Sequence, residues 1–332
     1  MSRLKSVKSG DPTGAVDENT FRKAFETVDF VNISTSKDLR DQMSKAQELM
    51  ARPAEDWEKR CSGCKLLRSI ATVEGVDLDE FSSLLKPLEQ WIDSCCKDLR
   101  SQVVREACIC VSYLSELLKT KFTKCAEAVL QQLINLVQNS AKIMASSGVI
   151  TLRFLLRNIS SNRLMQIVYL NFSSKSAITR RHLCEIVEIM VKEWPSGQIE
   201  KGSAQFSEML KKGISDADQE ARSFARAACV NYMERFPSLG SSLLKTLEPS
   251  RKREIERMLG SSNAGSTTNS QTSLNSVGLG SSSGIMKRPK PILGTSSMAG
   301  RKQSIAGTTT RANISKEEAD DDESSTSSEC FD

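Results

Sequence analysis

The 332-residue chain is 39% hydrophobic, 5% aromatic and 26% charged, with 46 Lys and Arg against 41 Asp and Glu for a formal charge of +5. That balance is too slight for the length to indicate nucleic acid, whose binding domains concentrate basic residues far more strongly, and no run of about 18 apolar residues exists to span a bilayer. Met1-Ser2-Arg3-Leu4-Lys5 lacks the apolar stretch of a signal peptide, so the ten cysteines are expected as reduced thiols of a cytosolic protein.

Apolar residues recur at helical spacing from about Phe21 to Leu259. A short leading helix is predicted around Asp17 to Glu26, followed by an extended link through Val31-Asn32-Ile33. Helices then come in antiparallel pairs. The first pair is Ser36 to Met50 and Ala54 to Val73, with Pro53 placed to open its second helix. The second is Leu78 to Cys96 and Ser101 to Lys119, and Pro87 predicts a break near Lys86 because proline removes a helix hydrogen bond. Pair three is Phe122 to Val137 and Ala141 to Asn158, and pair four is Asn162 to Asn171 and Ser176 to Trp194. Gln198 to Gly213 and Asp216 to Phe236 make the fifth, and the shorter Leu239 to Leu247 and Pro249 to Leu259 the sixth. Second helices recur roughly every 33 to 47 residues, a period near that of HEAT and armadillo arrays. The expected fold is all-α: a solenoid of six HEAT-type repeats with the leading helix, over residues 16–260. Stacked pairs place every intra-pair loop on one edge.

Residues 1–15 and 261–332 are expected to be disordered. From Gly260 to Ser315 the chain is rich in Ser, Thr, Gly and Asn, with scattered Lys and Arg and no acidic residue, so it cannot bury enough apolar area to fold. The sign then reverses at Glu317, Glu318, Asp320, Asp321, Asp322 and Glu323, and a serine-rich end follows.

Chemistry-bearing motifs are few. Cys61 and Cys64 form a CxxC, but His182 is the only histidine and no second CxxC pairs with it, so no metal site and no cofactor are expected. Cys64, Cys108, Cys125, Cys184 and Cys229 fall on predicted apolar faces and read as core. Without a phosphate loop, GxSxG elbow or zinc spacing, an enzyme is not expected.

The predicted loop edge is basic with one aromatic. It carries Trp57, Lys97, Arg100, Lys142, Lys175, Arg180, Arg181, Arg222 and the run Arg251 to Arg253. Trp57, between Asp56 and Glu58, occupies a solvated first turn suited to anchoring a partner, against the alternative of folding onto its own repeat. Asp216 is expected to cap its helix, and Asp218 to favour the positive pole. Recurrent positive charge on one edge makes a field suited to an acidic protein surface.

The run Lys97-Asp98-Leu99-Arg100-Ser101-Gln102-Val103-Val104-Arg105-Glu106-Ala107-Cys108 resembles the second repeat of a TOG domain of the CLASP family of microtubule regulators. So do Asn139-Ser140-Ala141-Lys142 in the third, Ser174-Lys175-Ser176 with Arg180-Arg181 in the fourth, and Asp216-Ala217-Asp218-Gln219-Glu220-Ala221-Arg222 in the fifth. Asp56-Trp57-Glu58-Lys59-Arg60 is similar to the tryptophan loop of the first, and the whole looks most like the family's second TOG domain. The resemblance implies a loop edge that grips αβ-tubulin and favours its curved form at microtubule ends, suppressing catastrophe and promoting rescue. It further implies that Trp57 packs on one tubulin subunit and that Lys142, Lys175 and Arg222 pair with acidic groups, with Arg180 and Arg181 as adjunct candidates; Arg100 joins them from its loop position. A cytoplasmic, cytoskeletal location, extending to spindle and kinetochore, follows from the same family.

Two other readings stand beside this one: a HEAT adaptor for partners other than tubulin, and a TOG protein of the polymerase or ciliary families. The chain departs from the family in having one array. Ser283-Gly284-Ile285-Met286 is a degenerate form of the Ser-x-Ile-Pro signal for end-binding proteins, with Met286 where proline is expected. Ser304 follows Arg301-Lys302 in a basic-before-serine pattern and is a candidate phosphosite. The basic stretch from Ser261 onward is expected to add salt-sensitive attraction to an acidic microtubule surface. Truncation after Gly260 is expected to flatten the ionic-strength dependence of microtubule co-pelleting, and an unchanged dependence counts against a role for the tail.

Overall fold

Short polar caps start the first helices where the residue pattern places them. Asp17 accepts the N–H of Thr20 at 2.8 Å and opens α1 (Glu18–Glu26), while Thr35 and Asp38 form a reciprocal capping box at the start of α2 (Ser36–Met50). The computed structural model describes residues 14–264. All of these lie in the first of two units, Met1–Ser270, whereas the second, Gln271–Asp332, lies outside the described residues, as do the sites read at Ser283, Ile285, Met286 and Ser304.

After Pro53 a single 3-10 turn, Ala54–Asp56, leads into α3 (Trp57–Ala71). The break expected at Pro87 is present: α4 (Leu78–Leu84) and α5 (Glu89–Cys96) are separated by the 3-10 turn Lys86–Leu88. Then follow α6 (Ser101–Leu118), α7 (Thr123–Leu136), α8 (Lys142–Asn158), α9 (Asn162–Asn171) and α10 (Ala177–Glu193). The single helix expected from Gln198 to Gly213 is instead two, α11 (Ser196–Lys201) and α12 (Ser203–Ile214), divided at Gly202. A Cβ on Gly202 would lie 2.2 Å from Met165 Sδ of α9, so any larger residue here would displace that thioether. The array ends with α13 (Gln219–Arg235), α14 (Pro237–Thr246) and α15 (Pro249–Ala264).

Helices α2, α5, α7, α9, α12 and α14 form one layer, and α3, α6, α8, α10, α13 and α15 the other, each packing on its neighbours along the array. At Gly63 the layers come very close, since a Cβ there would lie 2.9 Å from the Met50 amide nitrogen and 3.0 Å from the Ala46 carbonyl. Between the layers runs a continuous core. The nine described cysteines are all buried within it, and burial pushes the Cys110 and Cys229 thiols up to about 12. Among the described residues no strand forms, and no helix is long and apolar enough to cross a membrane.

Two features of this packing were not visible in the helical periodicity. The first is α1, which joins neither layer and lies across α6. Its Phe25 ring centroid is 5.4 Å from both Tyr113 of α6 and Phe154 of α8, and the ion pairs Arg22–Glu116 (2.6 Å) and Arg157–Glu18 (3.3 Å) tie it to the same two helices. The second is a forward-reaching arginine at most junctions of the second layer. Arg60 of α3 pairs with Asp98 ahead of α6, and Arg68 pairs with Glu106 at 3.1 Å, all four side chains being buried. Arg153 pairs with Glu185 at 2.7 Å between α8 and α10, and Arg226 with Glu254 at 2.5 Å between α13 and α15.

Removing one member of a buried pair leaves the other charged and desolvated. Asp98→Ala, which strands the Arg60 guanidinium, is therefore expected to destabilise the array by about 3–5 kcal/mol in urea unfolding. A loss under about 1 kcal/mol would show that this pair does not hold the junction.

Candidate functional site

The intra-pair loops of repeats two to five are built on one recurring turn. In each, the residue two positions before the first helical residue's cap partner accepts, through its side-chain oxygen, the N–H of the cap residue itself: Asp98 from Arg100 (2.8 Å), Asn139 from Ala141 (2.9 Å), Ser174 from Ser176 (3.3 Å) and Asp216 from Asp218 (2.8 Å). The turn fixes the backbone and turns the intervening residue outward. Leu99, Ser140, Lys175 and Ala217 occupy these four tips, all exposed, and Leu99 is 96% exposed.

The expected assignment of the fifth-repeat carboxylates is reversed. Asp218, not Asp216, is the N-cap of α13, accepting the Ala221 N–H at 2.8 Å, while Asp216 closes the turn before it. Both also hold arginines of the fourth repeat. Arg180 reaches Asp216 through two hydrogen bonds of 2.7 and 3.1 Å, and Arg181 reaches Asp218 through two of 3.1 and 2.7 Å and Glu220 at 3.0 Å.

Arg180 and Arg222 share a second local relation. Each sends Nη1 back to the carbonyls five and six residues earlier, Arg180 to Ser174 (2.9 Å) and Lys175 (3.2 Å), and Arg222 to Asp216 and Ala217 (2.8 Å each). These arginines brace their own loops. Lys142 and Lys175, by contrast, are exposed and enter no ion pair among the described residues. Lys97 pairs with Asp93 of its own helix and is not free in that sense.

Trp57 is not simply solvated. It is half-buried, packs against the core, and lies under the exposed Arg100, whose guanidinium carbon is 5.8 Å from the indole centroid. Repeats one and two therefore present a joined aromatic and cation, and repeats three and four present two unpaired lysines. Exposed apolar groups on the same edge, Leu99 and Ile178 (51% exposed), carry no periodic signal by which the sequence could mark them. Among the described residues no group of three or more His, Cys, Asp and Glu side chains is placed to hold a metal ion.

Comparison with known proteins agrees with this edge-bearing solenoid. A family model described as CLASP N terminal matches residues 39–256. The chain is 38% identical over 270 residues to CLIP-associating protein 1 of Xenopus tropicalis, an overlap covering 79% of this chain and 19% of that protein. With the CLIP-associating protein of Drosophila melanogaster it is 34% identical over 252 residues, covering 75% and 17%. The chain thus spans about a fifth of the length of the curated relatives it matches. Among solved structures, one from work on microtubule plus end tracking by XMAP215, CLIP-170 and EB1 superposes with a TM-score of 0.55 at 14% identity, covering 70% of this chain and 94% of the other. The TOG domain of Zyg9 from C. elegans superposes with a TM-score of 0.50 at 11% identity, covering 76% and 100%. At these identities the likeness establishes the fold, an all-α TOG solenoid.

The junction between repeats four and five is linked to protons. Arg181 and the Ala221 amide hold the Asp218 carboxyl far below its ordinary 3.8; burial works to raise Asp216, but Arg180 and the Asp218 amide outweigh it and the net shift is downward. Carboxyls lowered in the folded state stabilise it fully above 3.8 and lose that contribution as pH falls from 3.8 towards their folded-state values. Thermal unfolding from pH 7 to 3 is expected to show a steeper acid loss for the unsubstituted chain than for an Asp216→Asn/Asp218→Asn double variant; parallel curves would contradict it.

Proposed function

The chain belongs to the CLASP family, and on that membership we propose that it is a microtubule-associated protein whose intra-pair loop edge binds αβ-tubulin. The observation that carries this reading is the regular loop geometry. Four successive loops share one turn and present their tips on one edge, so the exposed Lys142 and Lys175 and the Trp57–Arg100 pair can meet a single partner surface. Such preorganisation reduces the ordering cost of binding.

In this proposal Trp57 supplies the apolar anchor and Arg100, held on its ring, a cation at the anchor's rim. Lys142 and Lys175 meet acidic groups of tubulin, steering the encounter and setting its orientation. Arg222 holds the fifth loop in shape through the Asp216 and Ala217 carbonyls, and Arg180 and Arg181 hold the fourth against the fifth. The edge acts by binding alone. Preference for curved tubulin at filament ends would suppress catastrophe and promote rescue, because a rigid array can favour only the tubulin shape that meets all of its loops. The cytoskeleton, with the spindle and kinetochore as places where such ends are regulated, is the corresponding location.

Trp57→Ala is expected to weaken tubulin binding by about 2 kcal/mol, roughly thirtyfold, in size-exclusion or co-pelleting titrations. The far-ultraviolet helical spectrum should be retained. Unchanged binding with an intact spectrum would remove Trp57 as the anchor.

A further inference from the structure

Between α8, the start of α10 and the leading segment lies an open cleft of about 540 Å³. Its apolar walls come from Val16 of the leading segment, Val137 of the third loop, Ile150 of α8 and Ile178 of α10, and Lys142, His182 and Glu18 also line it. The leading segment is fixed in place there: the Val16 N–H donates to Ser146 Oγ at 3.0 Å, and that hydroxyl donates to the Lys142 carbonyl at 2.7 Å.

Ile178 sits at the second position of its helix, three residues beyond the tip Lys175. At the same position repeats two and five carry the polar Gln102 and Glu220, whereas Ile143 of repeat three is partly buried against the core. Ile178 remains 51% exposed, so it contributes little to the array's own core. Lys142 of the loop edge itself lines this cleft, so a surface that engages Lys142 lies beside its apolar walls. Its apolar lining would then be covered by that surface, next to the Lys142 cation.

We propose that the cleft is the apolar pocket of the binding edge, receiving one apolar side chain of the tubulin surface while neighbouring tubulin carboxylates meet Lys142 and Lys175. This rests on the tubulin reading above and adds to it a contact that depends on burial and not on charge. The leading segment, as one wall of the pocket, becomes part of the recognition surface as well as of the scaffold.

The test is titration of the full chain with αβ-tubulin at several ionic strengths. Ile178→Ser removes the apolar wall without altering charge, at an exposed position where folding is undisturbed, and is expected to weaken binding about tenfold with an unchanged salt dependence. Ile178→Leu is expected to retain binding, Lys142→Ala to weaken it with a shallower salt dependence, and Phe30→Ser, an exposed apolar residue beside the far end of α3, to leave it unaltered. Binding by Ile178→Ser equal to that of the unsubstituted chain, while Lys142→Ala is impaired, would overturn the pocket and leave the tubulin edge standing. Absence of tubulin binding by the unsubstituted chain would overturn both.

Discussion

An arginine that reaches from one repeat to a carboxylate of the next determines how the layers of this solenoid register. Apolar contact between stacked helices is non-directional, and alone it allows neighbouring repeats to slide. A charged, hydrogen-bonded pair has one good geometry. Arg60–Asp98 and Arg68–Glu106 join repeats one and two, Arg153–Glu185 joins three and four, Arg180–Asp216 and Arg181–Asp218 join four and five, and Arg226–Glu254 joins five and six. Desolvation offsets much of the net stability of such pairs, so their main effect is to penalise every register that leaves a charge unpaired.

One junction in the second layer lacks a direct pair of this kind among the described residues. Between α6 and α8 the hydroxyls of Ser112 and Thr151 meet at 3.2 Å instead. It is there that α1 lies, with Arg22 on Glu116 of α6 and Glu18 against Arg157 of α8. The leading helix thus supplies from outside the ionic tie that the other junctions make within the layer. Its Phe25, set between Tyr113 and Phe154, adds an aromatic contact to both helices.

The same pairs shape the loop edge. Asp98 both accepts the Arg100 N–H and holds Arg60, and Asp216 both accepts the Asp218 N–H and holds Arg180, so the turns of these two loops are locked to the preceding repeat. Cations on the edge consequently divide into two sets. Arg180, Arg181 and Arg222 are committed to carboxylates and loop carbonyls, whereas Lys142 and Lys175 are exposed and enter no ion pair among the described residues. Arginine suits the first set because its planar fork satisfies several acceptors at once; lysine, a single mobile charge, suits the second.

Helix positions, the proline break at Lys86–Leu88 and the succession of pairs were legible in the sequence because each depends on local spacing, caps and backbone sterics. The loop cations were legible as a set for the same reason. The sequence could not mark Arg180 and Arg181 as bracing groups, because their carboxylate partners lie 36 or 37 residues away and meet them only when the repeats stack. Helical spacing runs unbroken through Gly202, whose close neighbour Met165 belongs to another helix, and Asp216 has the local pattern of a cap because its partner Arg180 lies a full repeat away. Sequence by itself determined an all-helical array with a basic loop edge. Only the tertiary structure decided which charges remain on that edge, since pairing across repeats consumes some and leaves others in water.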